Sequence, residues 1–235
     1  MDEARLREQL ARVEEYIERA RQKVGRREPV LIVAVTKGHS VQVVQSALSV
    51  GLTRIGENRV PELEEKIGEQ GRGAAEWHLI GHLQRNKVRR ALPLFDLFHA
   101  IDSERLAGEL SAEAQRTGGK ARGLIQVNAS GEGTKGGFDA LQETETLLDQ
   151  IARVAALPAL EVLGLMTMAP FTADQAVQRE TFRRTRSLFE QCAAQVAGFQ
   201  ARHLSMGMSN DFEVAVEEGS TMVRLGTILF GERET

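Results

Sequence analysis

A closed (β/α)8 barrel carrying one extra N-terminal helix is the fold this sequence predicts, and three observations carry it. Eight short runs rich in Val, Ile, Leu and Phe recur along the 235 residues. Segments of helical length and period alternate with them, the order that builds a parallel sheet. No Pro/Ser-rich linker, low-complexity tract or internal repeat interrupts the chain, so residues 1–235 are expected to form one domain, with 1–28 added to it. An open doubly wound sheet is the alternative, because periodicity does not reveal whether a sheet closes.

Residues 2–24 place Leu6, Leu10, Val13, Ile17 and Val24 at three- and four-residue spacings among charges, the stripe of an amphipathic surface helix, and Gly25 and Pro29 end it. VLIVAVT at 30–36 is a continuous β-branched run, as a strand buried on both faces of a parallel sheet requires. Further strands are expected at 53–56, 76–80, 94–100, 123–127, 160–166, 201–204 and 221–225. Helices are expected at 41–50, 103–117, 141–155 and 174–196.

Composition narrows the function. The chain is 42% hydrophobic and 27% charged, an ordinary globular balance, and its net charge of −3 is mixed along the sequence rather than gathered into a basic face for nucleic acid. One cysteine, Cys192, excludes an internal disulfide and a Cys-based zinc cluster, and it reads as a small apolar filler on a helix. The N-terminus has no signal-peptide core and no segment approaches a membrane span, so no membrane partner and a cytoplasmic location are expected. The basic residues are 24 Arg and 6 Lys. Lysine, unlike arginine, can lose its proton and attack a carbonyl, so each of the six merits inspection.

Functional groups of a parallel barrel sit where strands end. Lys37 directly follows the first run, and an apolar collar there favours the neutral, nucleophilic amine needed for a Schiff base. Taken alone it also fits a strand-end lysine snorkelling to water. Other strand ends are rich in polar groups, among them 56–58, 78–82, 128–130 and 166–168. The last two, 205–208 and 224–227, suit a phosphate site of the kind barrels form after strands seven and eight. There Ser205 and Thr227 offer hydroxyls, and 209–211 read as a cap opening a helix.

Several patterns are set aside. GEGTKG at 131–136 has the spacing of a dinucleotide fingerprint, but three residues separate it from its strand. His78 and His82 have a metal-like separation, yet strand-like flanks and Gly81 argue against one helix face, and no metal is expected. The basic stretch at 84–90 lacks interleaved aromatics and reads as a solvated face.

The stretches VAVTKGHS, IGENRV, WHLIGHLQRNK, GLMTMAP and LSMGMSNDFEVAVEEGSTMVRLGTILFG resemble the pyridoxal 5′-phosphate (PLP) homeostasis protein family, from about residue 5 to 233. The resemblance implies a TIM-type, fold-type III PLP-binding barrel like the N-terminal domain of alanine racemase. It implies that Lys37 holds the cofactor as a Schiff base, that Asn58, His78 and Met166 line its pocket, and that Ser205, Met206, Gly226 and Thr227 surround its phosphate. Arg224 would face the pyridine nitrogen. The family often has Lys-Thr after the Schiff-base lysine, where this chain has Gly38-His39, and Lys135 is a candidate contact for a second cofactor molecule.

An arginine at the ring nitrogen opposes its protonation and makes the cofactor a poor electron sink. The second base of alanine racemase is a tyrosine from another domain; this sequence has one tyrosine, Tyr16, on the first helix. The expected function is therefore PLP binding and delivery, with PLP-dependent apo-enzymes as acceptors, a monomeric chain and no catalytic residue of its own. The alternatives are a weak amino-acid racemase or a barrel that only binds proteins.

Overall fold

The computed structural model describes residues 2–133 and 136–232. Eight parallel strands close on themselves: β1 (Leu31–Val35), β2 (Arg54–Glu57), β3 (Glu76–Leu79), β4 (Leu97–Ile101), β5 (Ala121–Asn128), β7 (Leu160–Met166), β8 (Phe199–Ser205) and β9 (Met222–Leu225). Closure is made twice over. β9 returns to β1 with Val33 opposite Arg224, and β4 joins β5 with Phe98 opposite Gly123 and Ile101 opposite Ile125. A two-residue strand, β6 (Phe138–Asp139), pairs with the end of β5 outside the ring. The barrel expected from the sequence is thus the architecture found.

Helices fill the crossovers: α2 (Val41–Ser49), α3 (Val60–Gln70), α4 (Val88–Ala91), α5 (Glu104–Arg116), α6 (Thr144–Ala155), α7 (Gln175–Gln195), α8 (Phe212–Glu217) and α9 (Thr227–Phe230). α5 starts where the Ser103 hydroxyl accepts from the Leu106 amide, and α7 where the Asp174 carboxylate accepts from the Ala176 amide. α6 begins at Thr144 rather than 141, because the Leu141 amide is taken by the Asp139 carboxylate and its side chain is half exposed. β4 likewise begins at Leu97 rather than 94. Asp96 sits at its start, accepting from the Trp77 amide and gripping the Arg72 guanidinium at 2.7 and 3.0 Å.

Two apolar layers result. The outer one lies between strands and helices and includes Ile55, Trp77, Phe182 and the Leu6, Val13 and Ile17 stripe of α1 (Glu3–Lys23). Each such side chain, fully buried, contributes roughly 1.5–3 kcal/mol. α1 packs on α8 and α9, and its C-terminal end is pinned by Lys23 to Glu217 at 2.7 Å and by Arg26 to the Val216 and Ser220 carbonyls. The second layer fills the barrel interior with Val33, Leu97, Ala100, Leu124, Leu163, Met166 and Met222.

No helix among the described residues is long and apolar enough to cross a membrane. Cys192 is buried, and loss of water pushes its thiol up to about 12, as befits an inert filler.

Candidate functional site

Inward and outward side chains alternate along β1, so Val33 packs in the barrel interior, Val35 lines the cleft at its mouth, and the Thr36 hydroxyl turns the other way to Glu57. The chain then turns sharply: the His39 amide donates to the Thr36 carbonyl, and Gly38 takes φ +73°, a left-handed conformation that suits a residue without Cβ. That turn delivers Lys37 to the mouth of the barrel.

Lys37 lines a cleft of ≈ 270 Å³. Val35, Ile80, Met168, Met208 and Phe171 supply its apolar surface, Phe171 being 91% exposed. Ser209, Asn210, Gly226 and Thr227, from the ends of β8 and β9, supply small and polar groups. α9 starts at Thr227 with Gly226 as its N-cap, so amides of its first turn have no helical acceptor. That of Ile228 donates to the Ser209 hydroxyl at 3.3 Å.

Arg224 enters the cleft from below, two residues before Gly226, and is 4% exposed. Loss of water pushes its guanidinium down to about 10, which leaves it cationic at neutral pH. Nη1 donates to the Ser205 carbonyl at 2.9 Å and the Ser205 hydroxyl at 2.8 Å, and Nη2 donates to the Thr167 carbonyl at 3.0 Å. A guanidinium has five N–H donors. Two therefore have no acceptor among the described residues, on a side chain that lines the cleft.

A buried polar column continues beneath Arg224. Arginine only donates, so the Ser205 hydroxyl accepts from it, and the same oxygen lies in hydrogen-bond contact with His99 Nδ1, 3.1 Å away. His99 Nε2 is hydrogen-bonded in turn to His78 Nδ1 at 2.8 Å, one ring nitrogen donating and the other accepting. His78 Nε2 then lies 3.2 Å from a Glu76 carboxylate oxygen, poorly aligned for a hydrogen bond, so this last contact is electrostatic. His78, followed by Arg54, holds the Glu76 carboxyl below the usual range.

Burial, with His78, Arg224 and His203 adding to it, holds His99 far below the ordinary histidine range. Below about pH 6.5 the unfolded chain therefore binds a proton that the folded chain refuses, and stability falls with falling pH by up to about 1.4 kcal/mol per unit from this group. His99→Gln is expected to flatten that part of the acid limb, read as urea-denaturation free energies between about pH 5 and pH 7. An unchanged slope would mean that His99 is not held neutral.

The residues singled out in the sequence separate into groups. Lys37, Arg224, Gly226 and Thr227 share one cleft. Ser205 and His78 belong to the column, and Met166 to the barrel interior. Met206 is fully buried, with its amide donating to the Met222 carbonyl. Asn58 lies over Gly81 and lines a neighbouring cleft of ≈ 360 Å³ with Arg59, His82 and Lys87. Asp211 opens α8 as expected, though its carboxylate turns back to the Met208 amide. His82 pairs with Asp102 at 2.6 Å, apart from His78, and no group of three metal-ligating side chains occurs among the described residues. Thr134 and Lys135, within the glycine-rich loop, lie outside the described residues.

His99 and Phe171 were not singled out from the sequence. His99 carried a usable signal: in LFHAI, alternation puts it on the same inward face as Leu97. Phe171 carried none, since a lone loop phenylalanine is common.

Residues 9–234 match the family model described as alanine racemase, N-terminal domain. The pyridoxal phosphate homeostasis protein of Aquifex aeolicus is 40% identical over 228 residues, covering 97% of this chain and 98% of that protein. PipY of Synechococcus elongatus, solved with PLP bound, is 32% identical with a TM-score of 0.82, covering 96% of this chain and 100% of that one. The alanine racemase of Clostridium difficile shares the fold, with a TM-score of 0.77 at 16% identity over 99% of this chain and 60% of its own. With the closed barrel, the strand-end lysine and full-length relatives in agreement, the chain belongs to the pyridoxal phosphate homeostasis protein family, within the wider family of the alanine racemase N-terminal domain.

Proposed function

We propose that this chain binds PLP on Lys37, covalently and reversibly, and serves the supply of the cofactor as a carrier rather than as an enzyme. One observation carries the reading: a single cleft holds both the amine of Lys37 and a donor-only cation, Arg224, with two N–H groups uncommitted. When bound, the cofactor supplies an aldehyde that condenses with a primary amine, losing water, in a link that hydrolysis reverses.

The chain's own residues fit that group. Arg224 offers donors to a ring nitrogen and cannot take its proton, so it favours the unprotonated ring and mutes carbanion chemistry. Gly226, Thr227 and Ser209, beside the first turn of α9, suit phosphate oxygens. His78, Ser205 and Met166 act from beneath, through Arg224 and the packing of the interior. On the family pattern Met206 is assigned to the phosphate and Asn58 to the lining of the cofactor pocket. Tyr16 packs edge-to-face on Phe212 and is not among the cleft-lining residues, which supports a carrier over a racemase.

The same reading makes PLP-dependent apo-enzymes the acceptors and takes residues 1–235 as a single barrel domain, monomeric and cytoplasmic. PLP at 100 times its dissociation constant is expected to stabilise the wild-type chain by about 2.7 kcal/mol, seen as a raised denaturation midpoint. A midpoint indifferent to PLP would overturn the proposal.

A further inference from the structure

The turn that presents Lys37 is gripped from outside the barrel by three charged side chains that do not line its cleft. Glu57 ends β2, and Glu62 and Lys66 stand one turn apart on α3. Lys66 is 2% exposed, yet its ammonium reaches the Thr36 carbonyl at 2.8 Å, Glu57 at 2.6 Å and Glu62 at 2.9 Å. The Thr36 hydroxyl donates to the same Glu57 oxygen, and the Gly38 amide donates to the same Glu62 oxygen. The peptide atoms immediately before and after Lys37 are therefore both tied to one cluster.

Stability does not account for this arrangement. Taking charges out of water costs about as much as their attraction returns, and buried ion pairs are often matched by apolar packing. Here loss of water pushes the Glu57 carboxyl up to about 7 even with Lys66 beside it, and its second oxygen has no partner among the described residues. What the cluster does supply is geometry, because charge-assisted hydrogen bonds hold two backbone atoms that straddle the reactive residue.

We propose that Glu57, Lys66 and Glu62 form a clamp that fixes the Thr36–Gly38 backbone and thereby sets the approach of the Lys37 amine to the aldehyde of the cofactor. All three are positioning residues. The inference rests on Lys37 being the attachment point. The amine adds to the aldehyde carbon, a C=N bond replaces C=O, and the oxygen leaves as water; the clamp alters how often the amine is correctly aimed, not the balance of that step.

The test mixes the intact protein with PLP and follows the lysine-linked absorption band, with pyridoxine 5′-phosphate, which has an alcohol in place of the aldehyde, as the ligand that needs no amine. Glu62→Ala is expected to slow capture by about tenfold, within what misaiming a reacting group costs, while pyridoxine 5′-phosphate binds as in the wild type. Glu62→Gln keeps an oxygen for the Gly38 amide and should restore most of the rate. Glu57→Gln, which keeps the shape but removes the charge that holds the Lys66 ammonium against the Thr36 carbonyl, is the second variant should Glu62→Ala not fold, and it is expected to slow capture measurably. Wild-type capture by Glu62→Ala, or by Glu57→Gln where Glu62→Ala does not fold, or equal losses for both ligands, would overturn the clamp. Wild-type capture by Lys37→Ala would instead overturn the attachment point itself.

Discussion

Lys37→Ala is expected to lose one-to-one retention of PLP while staying folded. After borohydride reduction of the wild type, the peptide containing Lys37 should carry the label; in the variant the cleft keeps Arg224 and the small residues at the ends of β8 and β9 but has no amine. Binding should weaken by about two orders of magnitude or more, equivalent to about 3 kcal/mol. Little structural cost follows, because Lys37 is half-buried at the rim and its turn is held by Gly38 and the neighbouring cluster rather than by its own side chain. Lys37→Arg separates charge from nucleophilicity: it keeps a cation at the mouth but should be as inert toward the aldehyde as the alanine variant. Reduced label mapping to a different peptide in the wild type would sink this assignment.

Gly164→Ala is expected to be the most destabilising single methyl addition in the barrel. Gly164 lies inside β7 at φ +148°, and a Cβ there would stand 1.8 Å from the His203 carbonyl oxygen and 2.8 Å from its carbon. Both atoms are backbone of β8, so no side-chain rotation relieves the clash. The register of β7 shifts at this point against both neighbours, β5 and β8, which marks a bulge that the missing side chain permits. Separating β7 from β8 would open the barrel wall and displace Met166, Thr167 and Ser205, the last two of which hold Arg224. A loss of about 3 kcal/mol or more is expected in urea denaturation, with PLP affinity falling alongside. A change below about 1 kcal/mol would mean that the strand pair yields more easily than a closed sheet should.

Much of the fold was legible because its signals are local. β1, β4, β5 and β7 are dominated by apolar residues that are mostly buried, and the amphipathic stripe of α1 maps directly onto its buried Leu6, Val13 and Ile17. Boundaries drifted where a distant group decides them. Nothing near Leu94 in sequence announces that Asp96 will be held by Arg72 and Trp77, 24 and 19 residues away. β8 begins at Phe199, two residues before the expected 201, because Val162 of β7 pairs with Phe199 there.

The site was legible by position and much less so by partnership. Reading strand ends located Lys37, Gly226 and Thr227 at the mouth, and the arginine before Leu225-Gly226-Thr227 in the same cleft. The same rule put Asn58 and His78 with them, yet Asn58 turns into the neighbouring cleft and His78 lies two residues short of the rim, facing His99 across the interior. His99 sits within the run at 94–100, where only the alternation with Leu97 marks it as inward-facing. In the sequence Glu57 belongs to the polar strand end 56–58, and nothing local ties it to Glu62 and Lys66; the three meet only once α3 lies on β2.

The sequence by itself therefore determined the order and alternation of strands and helices, the closure-compatible count of eight, and the placement of one lysine at a strand end, since hydrophobic period and chain direction are properties of neighbouring residues. Only the tertiary structure decided which strand ends share a cleft, which donors of Arg224 are spent, and which buried groups are neutral. Those follow from the angular position of each strand around the ring and from the removal of water, and both exist only once β4 has met β5 and the barrel is closed.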